Sequence, residues 1–133
     1  MRLSSSAGLL VLLLAVGCGG ADASFTEDYN DAVTPLAELR GNVGTRLEDY
    51  DRLAHRTRQT RRNLARLEAP EGAGDELDAL VAGLDDVTSS LLGVAQAARS
   101  EDPVRERRAA RRLERSNDEF RRAENALRRA VEG

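Results

Sequence analysis

The chain predicts an all-α protein: an up-down-up antiparallel three-helix bundle, coiled-coil-like, with its first helix kinked or broken at Pro35. Three observations predict it. The composition is 41% hydrophobic and 32% charged, with two Phe, two Tyr and no Trp, and it is rich in the helix formers Ala, Leu, Arg and Glu. After residue 24 the apolar residues recur in steps of three and four rather than alternating. Breaks rich in Gly, Pro and acidic residues then divide that pattern into three stretches.

In the first stretch Tyr29, Val33, Leu36, Leu39, Val43, Leu47, Tyr50, Leu53, Leu64 and Leu67 form an apolar stripe, with a polar gap between Leu53 and Leu64. Pro35 interrupts it, either opening a new helix behind Thr34 as N-cap or kinking one long helix. Gly41 and Gly44 each weaken helix propensity by roughly 1 kcal/mol relative to Ala. The helix is therefore firm only from about Leu47. Ala69-Pro70-Glu71-Gly72-Ala73-Gly74 is the first break.

Asp75 reads as the N-cap of the second helix, with Glu76 and Asp78 in the first turn, where the helix dipole favours acids. Leu77, Leu80, Val81, Leu84, Val87, Leu91, Val94 and Ala98 form its stripe. Ser100-Glu101-Asp102-Pro103 is the second break, with Asp102 as N-cap and Pro103 at the first helical position of the third helix. That helix buries Leu113, Phe120 and Leu127 at seven-residue intervals. Ala109, Ser116, Ala123 and Ala130 beside them suit close helix approach. Leu84, Leu91, Leu113 and Phe120 are the expected core.

Charge is blocked along the chain. Residues 22–51 carry net −6, 52–68 net +5, 69–102 net −7 and 103–133 net +4. In an up-down-up path the basic end of the first helix lies beside the acidic start of the second. The acidic start of the first helix then shares an end with the basic start of the third. Exposed pairs contribute only ~0–1 kcal/mol each, so the pattern selects register more than it stabilises.

The N-terminus carries the most specific signal. Met1-Arg2 is positive, Ala7 to Val16 is an uncharged Leu-rich run, and Ala15-Val16-Gly17-Cys18 closes it. The run falls well short of the ~18–20 residues that cross a bilayer. Cys18 is the single cysteine, so it has no internal disulfide partner. These residues resemble a bacterial lipoprotein signal, although Ala15 stands where such signals more often show Leu. The resemblance covers only the N-terminus. It implies a signal peptide at 1–17, diacylglycerol on Cys18, a lipidated flexible tether at 18–24 and a helical bundle domain at 25–133. It also implies an extracytoplasmic protein, lipid-anchored to a bacterial membrane. Ala21-Asp22-Ala23 offers a rival general signal-peptidase cut, leaving Ser24 as the new N-terminus. A tether of 18–24 reaches at most ~24 Å, which places the fold close to the headgroups.

Motifs for chemistry are weak. His55, the single histidine, follows Asp51 by one turn, and two ligands fall short of a metal site. With Cys18 lipidated no thiol nucleophile remains, and Ser89, Ser90, Ser100 and Ser116 have no histidine placed for them by sequence. Asp85 and Asp86 are adjacent and diverge on a helix. No Gly-rich phosphate loop follows a strand. The expectation is no enzyme, no metal and no cofactor beyond the covalent lipid. A formal net charge of −3 gives no support to nucleic-acid binding.

All 20 basic side chains are Arg. In the third helix Arg108, Arg115, Arg122 and Arg129 recur every seven residues on one face, and Arg105, Arg107, Arg111 and Arg112 thicken its start. Arg107, Arg108, Arg111, Arg112 and Arg115 are the candidate anion- or partner-binding face. In the predicted path this face is close to the membrane and meets anionic lipid, an acidic envelope polymer or an envelope protein. The plainer reading has these arginines neutralised by Glu27, Asp28, Asp31, Glu38, Glu48 and Asp49. The expected role is a non-catalytic binding, adaptor or structural module. The alternatives are a periplasmic-type chaperone or stress sensor and a small-ligand-binding helical bundle.

Overall fold

The computed structural model describes residues 20–37 and 47–132. The protein is all-α, with five helices among the described residues: α1 (Gly20–Ala32), α2 (Thr34–Ala37), α3 (Leu47–Ala65), α4 (Gly74–Arg99) and α5 (Pro103–Glu132). Leu39, Gly41, Val43 and Gly44 lie outside the described residues. Helix α1 takes in residues 20–24, part of the stretch expected as a flexible tether. Those residues include Ala21 and Ala23, good helix formers, and they lead into Phe25 and Tyr29, which are buried.

The predicted interruption at Pro35 is present, and its chemistry ties the N-terminal helices to the rest. Pro35 has no N–H to offer the Asp31 carbonyl. The next amide, Leu36 N–H, turns to the Val33 carbonyl at 3.0 Å instead of continuing to Ala32. The Ala32 carbonyl is thereby released from the helix, and Asn63 of α3 donates its side-chain amide to it at 3.2 Å. Thr34 does not act as an N-cap; its hydroxyl donates back to the Asn30 carbonyl at 3.1 Å.

Helix α3 buries Tyr50, Ala54, Thr57, Thr60 and Leu64, a stripe of three- and four-residue steps. Its neighbour α4 runs antiparallel to it. Arg99 pairs with Asp51 at 2.6 Å near one end of the contact, and Arg61 with Asp85 at 3.1 Å near the other. Helix α5 reverses again: Ser90 meets Ser116 at 2.7 Å, and Gly83 lies against Phe120. A Cβ on Gly83 would sit 3.7 Å from the Phe120 backbone, so the helices nearly touch there.

Both breaks are built from their own residues. Gly72 takes φ +84°, a left-handed turn that glycine adopts without steric cost, and Ala73 behind it is fully buried. The N-cap position of α4 is Ala73, with no side-chain cap, so Asp75 is not the cap the sequence suggested. Burying the Ala73 methyl starts the helix two residues earlier and moves Asp75 and Glu76 into the first turn, where they still face the positive dipole end. At the second break Asp102 does cap α5: its Oδ1 accepts from Val104 N–H at 2.9 Å.

The last turns of α1 lie far from the basic start of α5, contrary to the charge-pattern expectation. Ala32 is bound by Asn63, ~18 Å along α3 from Asp51 at a 1.5 Å rise per residue. Tyr29 feels the charge of Glu124, ~31 Å along α5 from Pro103. The α1 seat is therefore where α3 ends, α4 begins and α5 nears its end.

The expected core residues Leu84, Leu91, Leu113 and Phe120 are all buried, joined by Leu64, Leu80, Val87, Val94 and Leu127. Leu84→Ala or Leu113→Ala should lower stability by roughly 2–5 kcal/mol in thermal or denaturant unfolding. An unchanged midpoint in either variant would refute the assigned core.

Candidate partner-binding face on α5

The first turns of α5 are fixed by Asp102 and by Leu113, Ser116 and Phe120 farther along, which bind one side of the helix to α4. The opposite side is left outward. Arg107, Arg108, Arg111, Arg112 and Arg115 are all exposed, as are Arg122 and Arg129 farther along. Val104, Arg107, Arg108, Arg111, Glu114, Arg115 and Asp118 line one open depression of about 630 Å³. Four of the five predicted arginines therefore share a surface, while Arg112 lies off its lining.

The neutralising partners suggested by sequence are elsewhere. Glu27, Asp28 and Asp31 are exposed on α1, at the far end of the bundle. Asp49 lies 3.8 Å from Arg52. Glu38 and the side chain of Glu48 lie outside the described residues. Among the described residues no ion pair reaches Arg107, Arg108, Arg111, Arg112 or Arg115. Arg105, by contrast, lies 3.7 Å from Asp102 at the cap.

The remaining candidates resolve as follows. Cys18 lies outside the described residues. His55 is exposed, and the nearby Asp51 carboxylate is engaged by Arg99. No group of three metal-capable side chains occurs among the described residues. Ser90 and Ser116 are buried and spend their hydroxyls on each other, while Ser100 donates to the Ala97 carbonyl at 2.6 Å. Among the described residues no helix is long and apolar enough to cross a membrane.

Sequence reasoning missed a polar interior. The gap between Leu53 and Leu64 is not solvated: Thr57 and Thr60 sit on the core stripe with no exposure. Thr57 and Thr88 face each other at 2.7 Å, and each also lies 2.9 Å from a carbonyl of its own helix, Ala54 or Leu84. One hydroxyl donates to the other, which donates to its own backbone. Asn117 and Glu124, seven residues apart on α5, are also buried. The spacing was a usable signal, since Thr57 and Thr60 continue the Tyr50–Leu53 periodicity and Glu124 falls between Phe120 and Leu127.

Burial, with the Glu124 charge as the lesser cause, pushes the Tyr29 phenol far above its usual range. Burial, then Asp49, also raises Tyr50. A phenol with a raised folded-state pKa stabilises the fold below the unfolded value of ~10 and loses that contribution as pH rises above it. Stability should therefore fall above pH ~10, and Tyr29→Phe should flatten that fall in unfolding curves measured from neutral to alkaline pH. A profile identical to the parent would remove Tyr29 as its cause.

The Thr60 hydroxyl is buried with no hydrogen-bond partner among the described residues. Thr60→Val should raise stability by ~1 kcal/mol, because a desolvated hydroxyl is replaced by a methyl of similar shape. Thr57→Val should lower it by a similar ~1 kcal/mol through loss of the Thr88 bond. Equal effects of the two substitutions on the unfolding midpoint would refute this assignment.

Comparison with known proteins found no matching family model, curated protein or solved structure.

Proposed function

We propose that this chain is an envelope lipoprotein, anchored to a bacterial membrane by diacylglycerol on Cys18, whose helical part is a non-catalytic binding or adaptor module. Cleavage after Gly17 leaves Cys18 as the N-terminus, and the run from Arg2 through Ala7–Val16 to Cys18 supports the anchor. The observation that carries the binding role is the outward α5 face, where Arg107, Arg108, Arg111 and Arg115 line one depression with no ion-pair partner among the described residues. In this reading α3, α4 and α5 form the up-down-up three-helix core, and α1 and α2 are a lateral brace on the end remote from the α4–α5 turn.

Between the anchor and α1 lies little slack. Helix α1 begins at Gly20, two residues past Cys18, a span of at most ~7 Å. The fold is then held against the bilayer at its α1 end. The arginine face, Arg107 to Arg115, lies ~14–26 Å along α5 from Glu124 and meets whatever approaches the far half of the bundle. An adaptor fits the surface better than a chaperone, which would present an apolar groove. Among the described residues the large exposed apolar side chains are only Leu92 and Val104.

Mass spectrometry of the protein from its native membrane should find an N-terminus at Cys18 carrying acyl chains, and Cys18→Ala should accumulate unprocessed. An unmodified N-terminus at Ser24, or a Cys18→Ala protein still processed and membrane-bound, would overturn the anchor.

A further inference from the structure

We infer that the outward face of the first half of α5 docks an acidic α-helical segment of a partner protein, in preference to a lipid surface or a uniform polyanion. Arg107 and Arg111, and Arg111 and Arg115, are each one i,i+4 step apart, ~6 Å along the helix. A second helix carrying carboxylates four residues apart repeats at the same interval, so successive guanidinium groups meet successive carboxylates without strain. The planar guanidinium fork suits such bidentate pairing.

The second observation is the change of sign within one depression. Its lining runs from Val104 through Arg107, Arg108 and Arg111 to Glu114, Arg115 and Asp118. Anionic headgroups or a phosphate polymer would bring negative charge against Glu114 and Asp118 as well as against the arginines. A polypeptide can place carboxylates opposite Arg107, Arg108 and Arg111 and a cation opposite Glu114 and Asp118. The two acidic residues thus select against uniform anions and set the direction in which a partner helix lies.

A third observation supplies an apolar contact. Val104 is 55% exposed and stands at the arginine-rich end of the same depression. It gives a partner helix an apolar position to cover, which a polyelectrolyte would not use. Placement agrees: the face is on the half of α5 remote from α1. That last point rests on the anchor reading; spacing, charge and the exposed valine do not.

The test uses the purified full chain, whatever the state of Cys18, so its outcome is separate from that of the anchor experiment. A fluorescein-labelled helical peptide is made with glutamates at four-residue spacing followed by lysines at the same spacing. A second peptide of identical composition has its charges scrambled. Phosphatidylglycerol vesicles and inorganic polyphosphate serve as competitors. The patterned peptide should bind at least ~10-fold more tightly than the scrambled one at physiological salt, and neither competitor should displace it at equal charge concentration. Replacing Arg107, Arg108, Arg111 and Arg115 by Gln should weaken binding by ~10-fold or more with the helical circular-dichroism signal unchanged. Glu114→Arg combined with Asp118→Arg should reverse the preference, weakening the patterned peptide and strengthening polyphosphate. Equal binding of both peptides, displacement by vesicles or polyphosphate, or an unaffected quadruple variant would each overturn the proposal. Vesicle displacement would assign the face to lipid. Should the quadruple variant lose helicity, the Glu114/Asp118 reversal alone decides, and an unchanged preference overturns the proposal.

Discussion

Between Leu80 and Val94 the side chains of α4 are shared between two neighbours, and the other elements are arranged around that double contact. One flank meets α3 through Thr88 on Thr57; the other meets α5 through Gly83 on Phe120 and Ser90 on Ser116. Both contacts need small or short side chains on α4. A methyl at Gly83 would sit at ordinary contact distance from Phe120, and a bulkier side chain there would press on α5. Close approach on two sides explains how a chain with few aromatic residues still closes a core: shallow helix packing replaces bulky side chains.

The same closeness accounts for the polar interior. Helices that approach on Ser and Thr bring hydroxyls into the core, where each must find a partner or cost free energy. Thr57 with Thr88 and Ser90 with Ser116 solve this in pairs across two different helix contacts. Paired hydroxyls hold only in one register, because sliding either helix by a turn would bury both unpaired. The long-range ion pairs Arg61–Asp85 and Arg99–Asp51 repeat that register on the surface, where solvent leaves them little energy.

The outward face of α5 is what remains after these demands are met. Residues 103–112 include no fully buried side chain, and the arginines among them are set by the cap at Asp102 and by the packing of Leu113 and Phe120 farther along. Of the acids expected to neutralise them, Glu27, Asp28 and Asp31 are exposed on α1 and Asp49 lies beside Arg52. The backbone beneath these arginines is already ordered as helix, so a partner binding here orders side chains but no loop.

Much of the fold was legible in local pattern. The apolar stripes of α4 and α5, the break at 100–102, a first break expected at 69–74 and found at 66–73, the Asp102 cap and the core Leu84, Leu91, Leu113 and Phe120 all follow from spacing and turn chemistry, which act over a few residues. The arginine face was legible too, since residues four apart share a helix side in any environment. Other features needed the tertiary structure. Thr57, Thr60, Asn117 and Glu124 read as polar, yet a neighbouring helix buries them. Ala73 starts α4 in place of Asp75 because its methyl is wanted in the core. The seat of α1 is set by burial of Phe25, Tyr29, Val33 and Leu36 in the core and marked by the Asn63 bond to the carbonyl released at Ala32. No local signal records which distant helix will take up a released carbonyl. The sequence alone therefore determined the apolar stripes and the arginine face of α5, because both follow from spacing along one helix; only the packed structure decided which polar residues are buried and where α1 sits, because both depend on distant helices.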